Sequence, residues 1–273
     1  MNSLRDRVLA FLHHRAIRLN TDLGQHFLID EDVLEMILES GDIGLRDHIV
    51  EIGPGMGILT NELLQRAGEV TAIELDKRMI PLMQDFLASQ PKRASRKFTV
   101  VEGNALQADF PTTPYKIVAN IPYHITSPLL RHAYVESPIT PTAMTLLIQR
   151  EVAEKICDQE HAGILTIVVK LFGTPEVVCN VPPHAFIPPP AVDSAVLHIR
   201  SHAQPLADRP TIDNILRLLK ISFAGKRKML RNTLGNLENG MELLGKAGID
   251  PTRRPETLSV EEWMAFARCS TTL

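Results

Sequence analysis

Three observations predict an α/β protein with a mostly parallel, doubly wound sheet, an antiparallel edge and a small helical domain after it. In the first half of the chain, short β-branched apolar runs alternate with helical patterns. The apolar runs that follow succeed one another without long helical crossovers. After residue 211 the pattern is helical to the end of the sequence.

Five of the apolar runs have the continuous hydrophobic character of strands that are buried on both faces. These runs are residues 48–52, 70–74, 98–101, 116–120 and 144–148. Helices are expected between them at residues 58–67 and 126–134. Three later runs are predicted as antiparallel strands at one edge of the sheet, namely residues 163–172, 175–181 and 193–199.

A polar stretch with two prolines, S-H-A-Q-P-L-A-D-R-P-T (201–211), indicates a domain boundary. We expect the sheet domain to cover residues 21–203 and the helical C-terminal domain to cover residues 204–273. A basic helix or extension is expected before them, at residues 1–20.

The net charge of −3 conceals two cationic segments. Residues 209–235 carry +6 and residues 1–20 carry +3, so the other 226 residues sum to −12. Cations concentrated in this way are typical of a surface that binds a polyanion, and also of a solvated helix face. The charge pattern alone leaves both interpretations open.

Composition excludes several classes of protein. No run approaches the roughly 18 apolar residues of a membrane helix, and the apolar run near the N-terminus is too short for a signal-peptide core. The cysteines Cys157, Cys179 and Cys269 form no CxxC, so neither a disulfide framework nor a zinc site is predicted. We therefore expect a cytoplasmic protein that has no membrane segment and no metal site.

A glycine-rich loop, E-I-G-P-G-M-G (51–57), ends the first predicted strand and opens a helix. Gly53, Gly55 and Gly57 allow the backbone to approach a ligand closely. Ile58 replaces the last glycine of the dinucleotide fingerprint, and no Gly-Lys-Ser/Thr of a P-loop follows. The loop therefore lacks the usual grips for phosphate.

An acidic residue, Glu74, ends the second strand 21 positions after Gly53, where a carboxylate can accept hydrogen bonds from two ribose hydroxyls. Asn104 follows the third strand, within reach of an adenine held against the glycine loop. A ribose-binding acid without a diphosphate grip indicates a nucleoside cofactor. S-adenosylmethionine fits, because it combines adenosine with a sulfonium and has no phosphate.

The fourth strand ends in N-I-P-Y (120–123), where the methyl group of such a cofactor would lie. An exocyclic adenine amine is a poor nucleophile, and it is helped by acceptors that stabilise positive charge developing on its nitrogen. The Asn120 side-chain oxygen and the Ile121 carbonyl are candidate acceptors. Pro122 fixes the local backbone, and Tyr123 is placed to stack on a flipped-out base.

In order along the chain, these motifs resemble those of the ribosomal RNA adenine N6,N6-dimethyltransferases that act on the small subunit. The resemblance covers about residues 19–235. The matching segments are L-G-Q-H-F-L-I-D (23–30), E-I-G-P-G-M-G-I-L-T (51–60), E-L-D-K-R (74–78), N-I-P-Y-H-I-T-S-P (120–128), Q-R-E-V-A (149–153), F-I-P-P-P-A-V-D-S-A-V (186–196) and K-R-K-M-L-R-N-T-L (226–234).

The resemblance implies a Rossmann-like class I methyltransferase domain over residues 21–203 and an rRNA-contacting domain over residues 204–273. It implies Asn120 and Tyr123 as the catalytic pair, with Phe186 as the second aromatic ring around the base. The cofactor residues that it implies are His26, Leu28, Glu51, Gly53, Gly55, Glu74, Asn104 and Asn120. The RNA-binding residues that it implies are Lys226, Arg227, Lys228 and Arg231.

The implied reaction is the transfer of methyl groups from S-adenosylmethionine to N6 of two adjacent adenosines near the 3′ end of small-subunit rRNA. The implied partner is a late precursor of the small subunit, and a monomer is expected. Asn104 departs from the aspartate that is usual in this family, and it keeps an acceptor oxygen without the charge. We expect cofactor binding to survive this difference.

Two alternatives remain at the level of sequence. A sister family methylates an adenosine of large-subunit rRNA, gives antibiotic resistance, and shares the cofactor and N-x-P-Y motifs. A ribosome-assembly or other nucleic-acid-binding factor on the same fold would need no catalysis, although the intact N-I-P-Y tetrapeptide argues against lost chemistry.

Overall fold

The structure is a computed structural model that describes residues 3–15, 25–90, 97–225 and 227–270. Its strands are β1 (Phe27–Leu28), β2 (His48–Ile52), β3 (Glu69–Glu74), β4 (Lys97–Glu102), β5 (Lys116–Asn120), β6 (Ala143–Gln149), β7 (Gly173–Val181), β8 (Phe186–Ile187) and β9 (Ser194–Ser201). Its helices are α1 (Leu4–His14), α2 (Glu31–Ser40), α3 (Ile58–Arg66), α4 (Met79–Ala88), α5 (Thr126–Arg131), α6 (Arg150–Cys157), α7 (Ile164–Phe172), α8 (Arg209–Phe223), α9 (Gly240–Lys246) and α10 (Val260–Cys269).

The main sheet has the strand order β4-β3-β2-β5-β6-β9-β7. The first five strands in this order run parallel, and β9 pairs with β6 in the antiparallel direction. The predicted α/β fold with a mostly parallel sheet and an antiparallel edge is confirmed. Because parallel strands end at the same edge, the segments that follow β2, β3, β4 and β5 meet there.

The five predicted parallel strands are present within a residue or so of their expected limits. The strand predicted at residues 163–172 is wrong, because this segment forms α7. Seven of its nine residues are apolar, and an apolar run of this length does not by itself distinguish a buried helix from a buried strand. Its β-branched residues, such as Ile167 and Val168, favoured the strand interpretation.

The chain divides into two compact units. The first comprises Met1–Ala153 and Glu176–Ser201 and contains the main sheet, and the second comprises Glu154–Pro175 and His202–Leu273. The change of unit after Ser201 lies close to the boundary expected at 203/204. The second unit also takes Glu154–Pro175, a segment that the sequence assigned to the sheet domain.

In the first unit, α1 buries Leu4, Val8 and Leu12 at helical spacing and leaves its arginines outside. A small two-stranded sheet joins β1 to β8 in the antiparallel direction, with Leu28 opposite Phe186. This pairing brings a segment from the start of the unit onto a segment more than 150 residues later. Both strands lie in the hydrophobic core of the unit.

In the second unit, α8 begins at a side-chain cap, since the Asp208 carboxylate accepts a hydrogen bond from the Thr211 N–H at 3.1 Å. The core of this unit is centred on Trp263, whose ring centroid lies 6.5 Å from that of Phe223. Asn214 ties α8 to α10 by donating to the Ala267 carbonyl at 2.9 Å. No helix in the described part of the chain is long and apolar enough to cross a membrane.

Candidate active site

A cavity of about 530 Å³ lies at the carboxyl ends of the parallel strands in the first unit. All eight of the predicted cofactor residues line it: His26, Leu28, Glu51, Gly53, Gly55, Glu74, Asn104 and Asn120. They come from β1 and from the ends of β2, β3, β4 and β5, segments far apart in sequence. The sheet therefore assembles the residues that the motifs singled out into one wall.

The glycine loop after β2 adopts backbone that side chains disfavour. Gly53, Gly55 and Gly57 have φ values of 63°, 55° and 88°. A Cβ on Gly55 would lie 2.8 Å from the Phe27 ring, which shows that the loop packs closely against β1. The loop also bonds back to the sheet, since the Gly53 N–H donates to the Ile73 carbonyl at 2.9 Å.

The Glu74 carboxylate is fixed at the cavity wall by two backbone donors. One oxygen accepts from the Gly55 N–H at 3.1 Å, and the other accepts from the Asp76 N–H at 2.8 Å. Burial raises the pKa of Glu74, whereas these two hydrogen bonds act in the opposite direction. Each oxygen keeps a second lone pair, so the carboxylate can still accept hydrogen bonds from a pair of hydroxyls.

Glu51 is more deeply buried, with only 2% of its surface exposed. Its Oε2 atom has no hydrogen-bond partner among the described residues. Burial raises the pKa of Glu51 to about 8, and the nearby charge of Glu74 adds to the increase, while the neighbouring Thr60 opposes it. A carboxyl with this pKa is mostly protonated at neutral pH.

Asn104 stands just after β4 in a tight turn. Its side-chain oxygen accepts a hydrogen bond from the Leu106 N–H at 3.0 Å, which holds the amide in place at the cavity wall. An aspartate could make the same bond with one of its oxygens. The local turn therefore tolerates either residue. They differ in the other terminal atom, which is an amide nitrogen in asparagine and a second carboxylate oxygen in aspartate.

Asn120, the last residue of β5, has an amide of defined orientation. Its nitrogen donates to the main-chain oxygen of His26 at 3.0 Å, which leaves the side-chain oxygen for the cavity. The His26 ring is itself fixed, because its Nδ1 lies 2.7 Å from the Pro188 carbonyl and must carry the proton of that bond. The Asn120 amide is thus oriented by the main-chain oxygen of His26, a residue whose own ring is held by the Pro188 carbonyl.

Tyr123 lies beside the cavity in a short 3-10 turn after β5 and is half-buried. Its hydroxyl is 2.7 Å from the Ser194 hydroxyl at the start of β9, and its ring is nearly parallel to that of His26, with centroids 6.4 Å apart. Burial raises the pKa of Tyr123. The sequence assigned no role to Ser194, although this serine stands within the matched segment 186–196.

Phe186 lies one strand behind the cavity wall. It is 2% exposed, and it pairs across β1 and β8 with Leu28, which does line the cavity. Its ring packs in the core of the first unit rather than at the cavity surface. The role of Phe186 as the second ring around a base stays a prediction that rests on the resemblance.

The expected RNA-binding residues lie in the second unit. Arg227, Lys228 and Arg231 are exposed, and Lys226 lies outside the described residues. The backbone at the last of these residues is held in place, since the Arg231 N–H donates to the Pro251 carbonyl at 2.8 Å. No group of three or more His, Cys, Asp and Glu side chains within the described ranges is arranged to hold a metal ion.

Comparison with known proteins gives consistent matches along the chain. Residues 16–271 match the model of a family described as "Ribosomal RNA adenine dimethylase". A "Ribosomal RNA small subunit methyltransferase A" of Dehalococcoides mccartyi is 36% identical over 267 residues, which cover 96% of this chain and 91% of that protein. A protein of the same description from Clostridium botulinum is 38% identical over 267 residues, covering 92% and 94%.

Two solved structures share the fold over most of the chain. A dimethyladenosine transferase from Plasmodium falciparum superimposes with a TM-score of 0.76 at 28% identity, covering 88% of this chain and 96% of that one. The 23S rRNA methyltransferase ErmE superimposes with a TM-score of 0.72 at 28% identity, covering 89% and 98%.

Proposed function

The chain belongs to the ribosomal RNA adenine dimethylase family, and on that premise we propose which reaction its cavity performs. The enzyme transfers methyl groups from S-adenosylmethionine to N6 of two adjacent adenosines near the 3′ end of small-subunit rRNA. The observation that carries this proposal is the Asn120 amide, whose nitrogen is committed to His26 and whose oxygen is left at the end of β5. An acceptor held in this way suits an amine.

The cavity suits S-adenosylmethionine in size and charge. Its size, about 530 Å³, is in the range of small-molecule sites. Glu51 and Glu74 place two acids at its wall, which favours a ligand with a cationic end. The wall also holds Arg78, but its guanidinium is paired with Asp76 at 2.7 Å. We assign Glu74 to the ribose hydroxyls and Asn104 to the adenine.

S-adenosylmethionine, when bound, would supply an electrophilic methyl carbon for the amine nitrogen, with the sulfonium sulfur as the leaving group that takes the electron pair. Asn120 Oδ1 and the Ile121 carbonyl each accept a hydrogen bond from one N–H group of the amine. These bonds stabilise the positive charge that develops on the nitrogen. The methylated nitrogen is then a strong acid and loses its proton to water. No side chain is needed as a strong base.

The Tyr123 ring stacks on the base. The contact between its hydroxyl and that of Ser194 holds the ring in position for this. The exposed cations Arg227, Lys228 and Arg231 supply phosphate contacts from the second unit, together with Lys226. We propose that the natural substrate is a late precursor of the small ribosomal subunit. We further propose that the enzyme acts on it as a monomer in the cytoplasm.

A second candidate, adenine methylation of large-subunit rRNA, is favoured by the similarity to the 23S rRNA methyltransferase. Parallel incubation of unmethylated small and large subunit particles with labelled S-adenosylmethionine separates the two. We expect label in the small subunit alone, lost with Asn120→Ala. Label confined to the large subunit would establish the second candidate, and label in neither particle would contradict both.

A further inference from the structure

The strongest feature that the proposed chemistry does not use is the Glu51 carboxyl at the end of β2. It lines the cavity and is 2% exposed, and its Oε2 has no hydrogen-bond partner among the described residues. An unpartnered buried oxygen on a charged carboxylate is costly, whereas a neutral carboxylic acid or a carboxylate beside a cation is not. The site therefore suits either a bound proton or a bound positive charge.

Among the described residues, the groups that act on the Glu51 carboxyl include no protein cation. On the neighbouring β3 its register partner is Ala72, and α3 contributes the uncharged Thr60, which acts to lower the pKa of the carboxyl. The nearby charge of Glu74 is negative and favours the protonated form. The other titratable groups at the cavity wall are His26, Asp76, Arg78 and His124.

Of these groups, the cation with a fixed charge is already engaged. The Arg78 guanidinium lies 2.7 Å from the Asp76 carboxylate and is 68% exposed, so it is paired and solvated. Among the described residues of the cavity wall, no fixed positive charge is therefore left for Glu51, and a ligand can supply one. This agrees with burial raising the pKa of Glu51 to about 8 in the protein alone.

We propose that Glu51 is a proton-exchanging counter-ion, neutral in the free enzyme and ionised when the cationic end of the cofactor enters the cavity. The inference rests on the proposed function, because it takes S-adenosylmethionine as the ligand. The carboxyl loses its proton to solvent and gains the electrostatic attraction of the ligand. Below the pKa of the free enzyme, the association constant then rises by up to about tenfold per pH unit.

The same arrangement makes the cavity selective for charge. A neutral nucleoside such as methylthioadenosine shares the adenosine part and brings no positive charge to Glu51. Its binding leaves the Glu51 proton in place. The energetic cost of ionising a buried acid is thus offset only by a cationic ligand, which favours the methyl donor over neutral breakdown products.

Isothermal titration at pH 7 tests this inference. S-adenosylmethionine is titrated in phosphate and in Tris, whose ionisation enthalpies differ, so that the difference in heat counts the protons released. The wild type should release between about half and one proton more than Glu51→Gln, a difference that cancels any proton exchanged by the ligand's own amine. Glu102→Gln, at the exposed end of β4, is the matched control and should behave as the wild type.

Equal proton counts for the wild type and Glu51→Gln, with saturable binding in both, would overturn the role of Glu51 and leave the proposed function intact. No saturable binding by the wild type would contradict the proposed function itself. If Glu51→Gln fails to fold, infrared difference spectra of the wild type decide. Adding S-adenosylmethionine should remove the C=O stretch of a protonated carboxyl, whereas methylthioadenosine should not, and an unchanged band would contradict the proposal.

Discussion

The side-chain nitrogen of Asn120 donates a hydrogen bond to the main-chain oxygen of His26, 94 residues earlier in the chain, at 3.0 Å. This bond commits the donor half of the amide to the protein. The acceptor half is then the part available to a ligand in the cavity. An ordinary strand-end asparagine would be free to turn either way, so the contact converts a polar residue into an oriented acceptor.

Tyr123 offers a test that separates its ring from its hydroxyl. Tyr123→Ala should reduce kcat/KM for the RNA substrate by about fivefold to 150-fold, since stacking on a base is worth about 1–3 kcal/mol. Tyr123→Phe keeps the ring, loses only the bond to Ser194, and should stay within about tenfold of the wild type. Steady-state methylation of small subunits measures both variants. A larger loss for Phe than for Ala would show that the ring does not stack.

The sequence was sufficient to predict that the candidate cofactor residues share one edge of the sheet. Gly53, Glu74, Asn104 and Asn120 each follow a strand of the parallel sheet, and parallel strands deliver such residues to one edge. The period-free apolar runs located those strands. Placing these residues at a common edge needed only the strand order and the identity of the residue at each strand end.

The details that orient the site could not be predicted in this way. The bond from Asn120 to His26 involves a main-chain carbonyl, which every residue type has. The identity of residue 26 therefore gives no indication of this contact, which depends on tertiary structure alone. The hydroxyl contact between Ser194 and Tyr123 also joins segments far apart in the chain. The prediction for Ile164–Phe172 was wrong for a different reason, because a short and mostly apolar run is compatible with both a buried helix and a buried strand.

Asn104→Asp tests the departure from the residue usual in the family. The variant keeps an oxygen for the Leu106 N–H and replaces the amide nitrogen by a second acceptor and a charge. We expect the affinity for S-adenosylmethionine to increase by less than tenfold, which corresponds to less than about 1.4 kcal/mol. Titration calorimetry measures it. A gain of tenfold or more would show that the native asparagine is a handicap for cofactor binding.

The pH dependence of stability provides a test of Glu51 without any ligand. Its pKa is raised from 4.5 to about 8, so the native state binds more protons than the unfolded state between these values. The stabilising contribution of Glu51 is therefore fully present below about pH 4.5 and is lost as the pH rises through about 8. The free energy of unfolding of Glu51→Gln, relative to the wild type, should increase steadily from pH 5 to pH 8.

Urea unfolding of both proteins at several pH values measures this difference. Glu102→Gln is again the control, since its carboxylate is exposed, and its difference from the wild type should stay flat. A flat difference for Glu51→Gln as well would mean that its carboxyl is ionised in the native protein.

The cationic segment is tested by replacing Lys226, Arg227 and Lys228 together with alanine. Each lost phosphate contact reduces the steepness of log affinity against log salt by about 0.7–0.9. The slope of the triple variant should therefore fall by the equivalent of up to about three phosphate contacts. Lys246→Ala is a suitable control, because this exposed lysine of the second unit is paired with Glu242 at 2.7 Å. Filter binding to small-subunit rRNA at several salt concentrations measures the slopes. An unchanged slope for the triple variant would exclude phosphate contacts by this segment.

We propose that Asn120 accepts a hydrogen bond from the adenine amine as the methyl group is transferred. The most direct measurement is the single-turnover rate of methylation of unmodified small subunits by wild type and Asn120→Ala, at saturating S-adenosylmethionine. We expect the rate of Asn120→Ala to be lower by about 10²–10³-fold, with cofactor affinity changed by less than about tenfold. A variant that dimethylates the same adenosines within about threefold of the wild-type rate would contradict it.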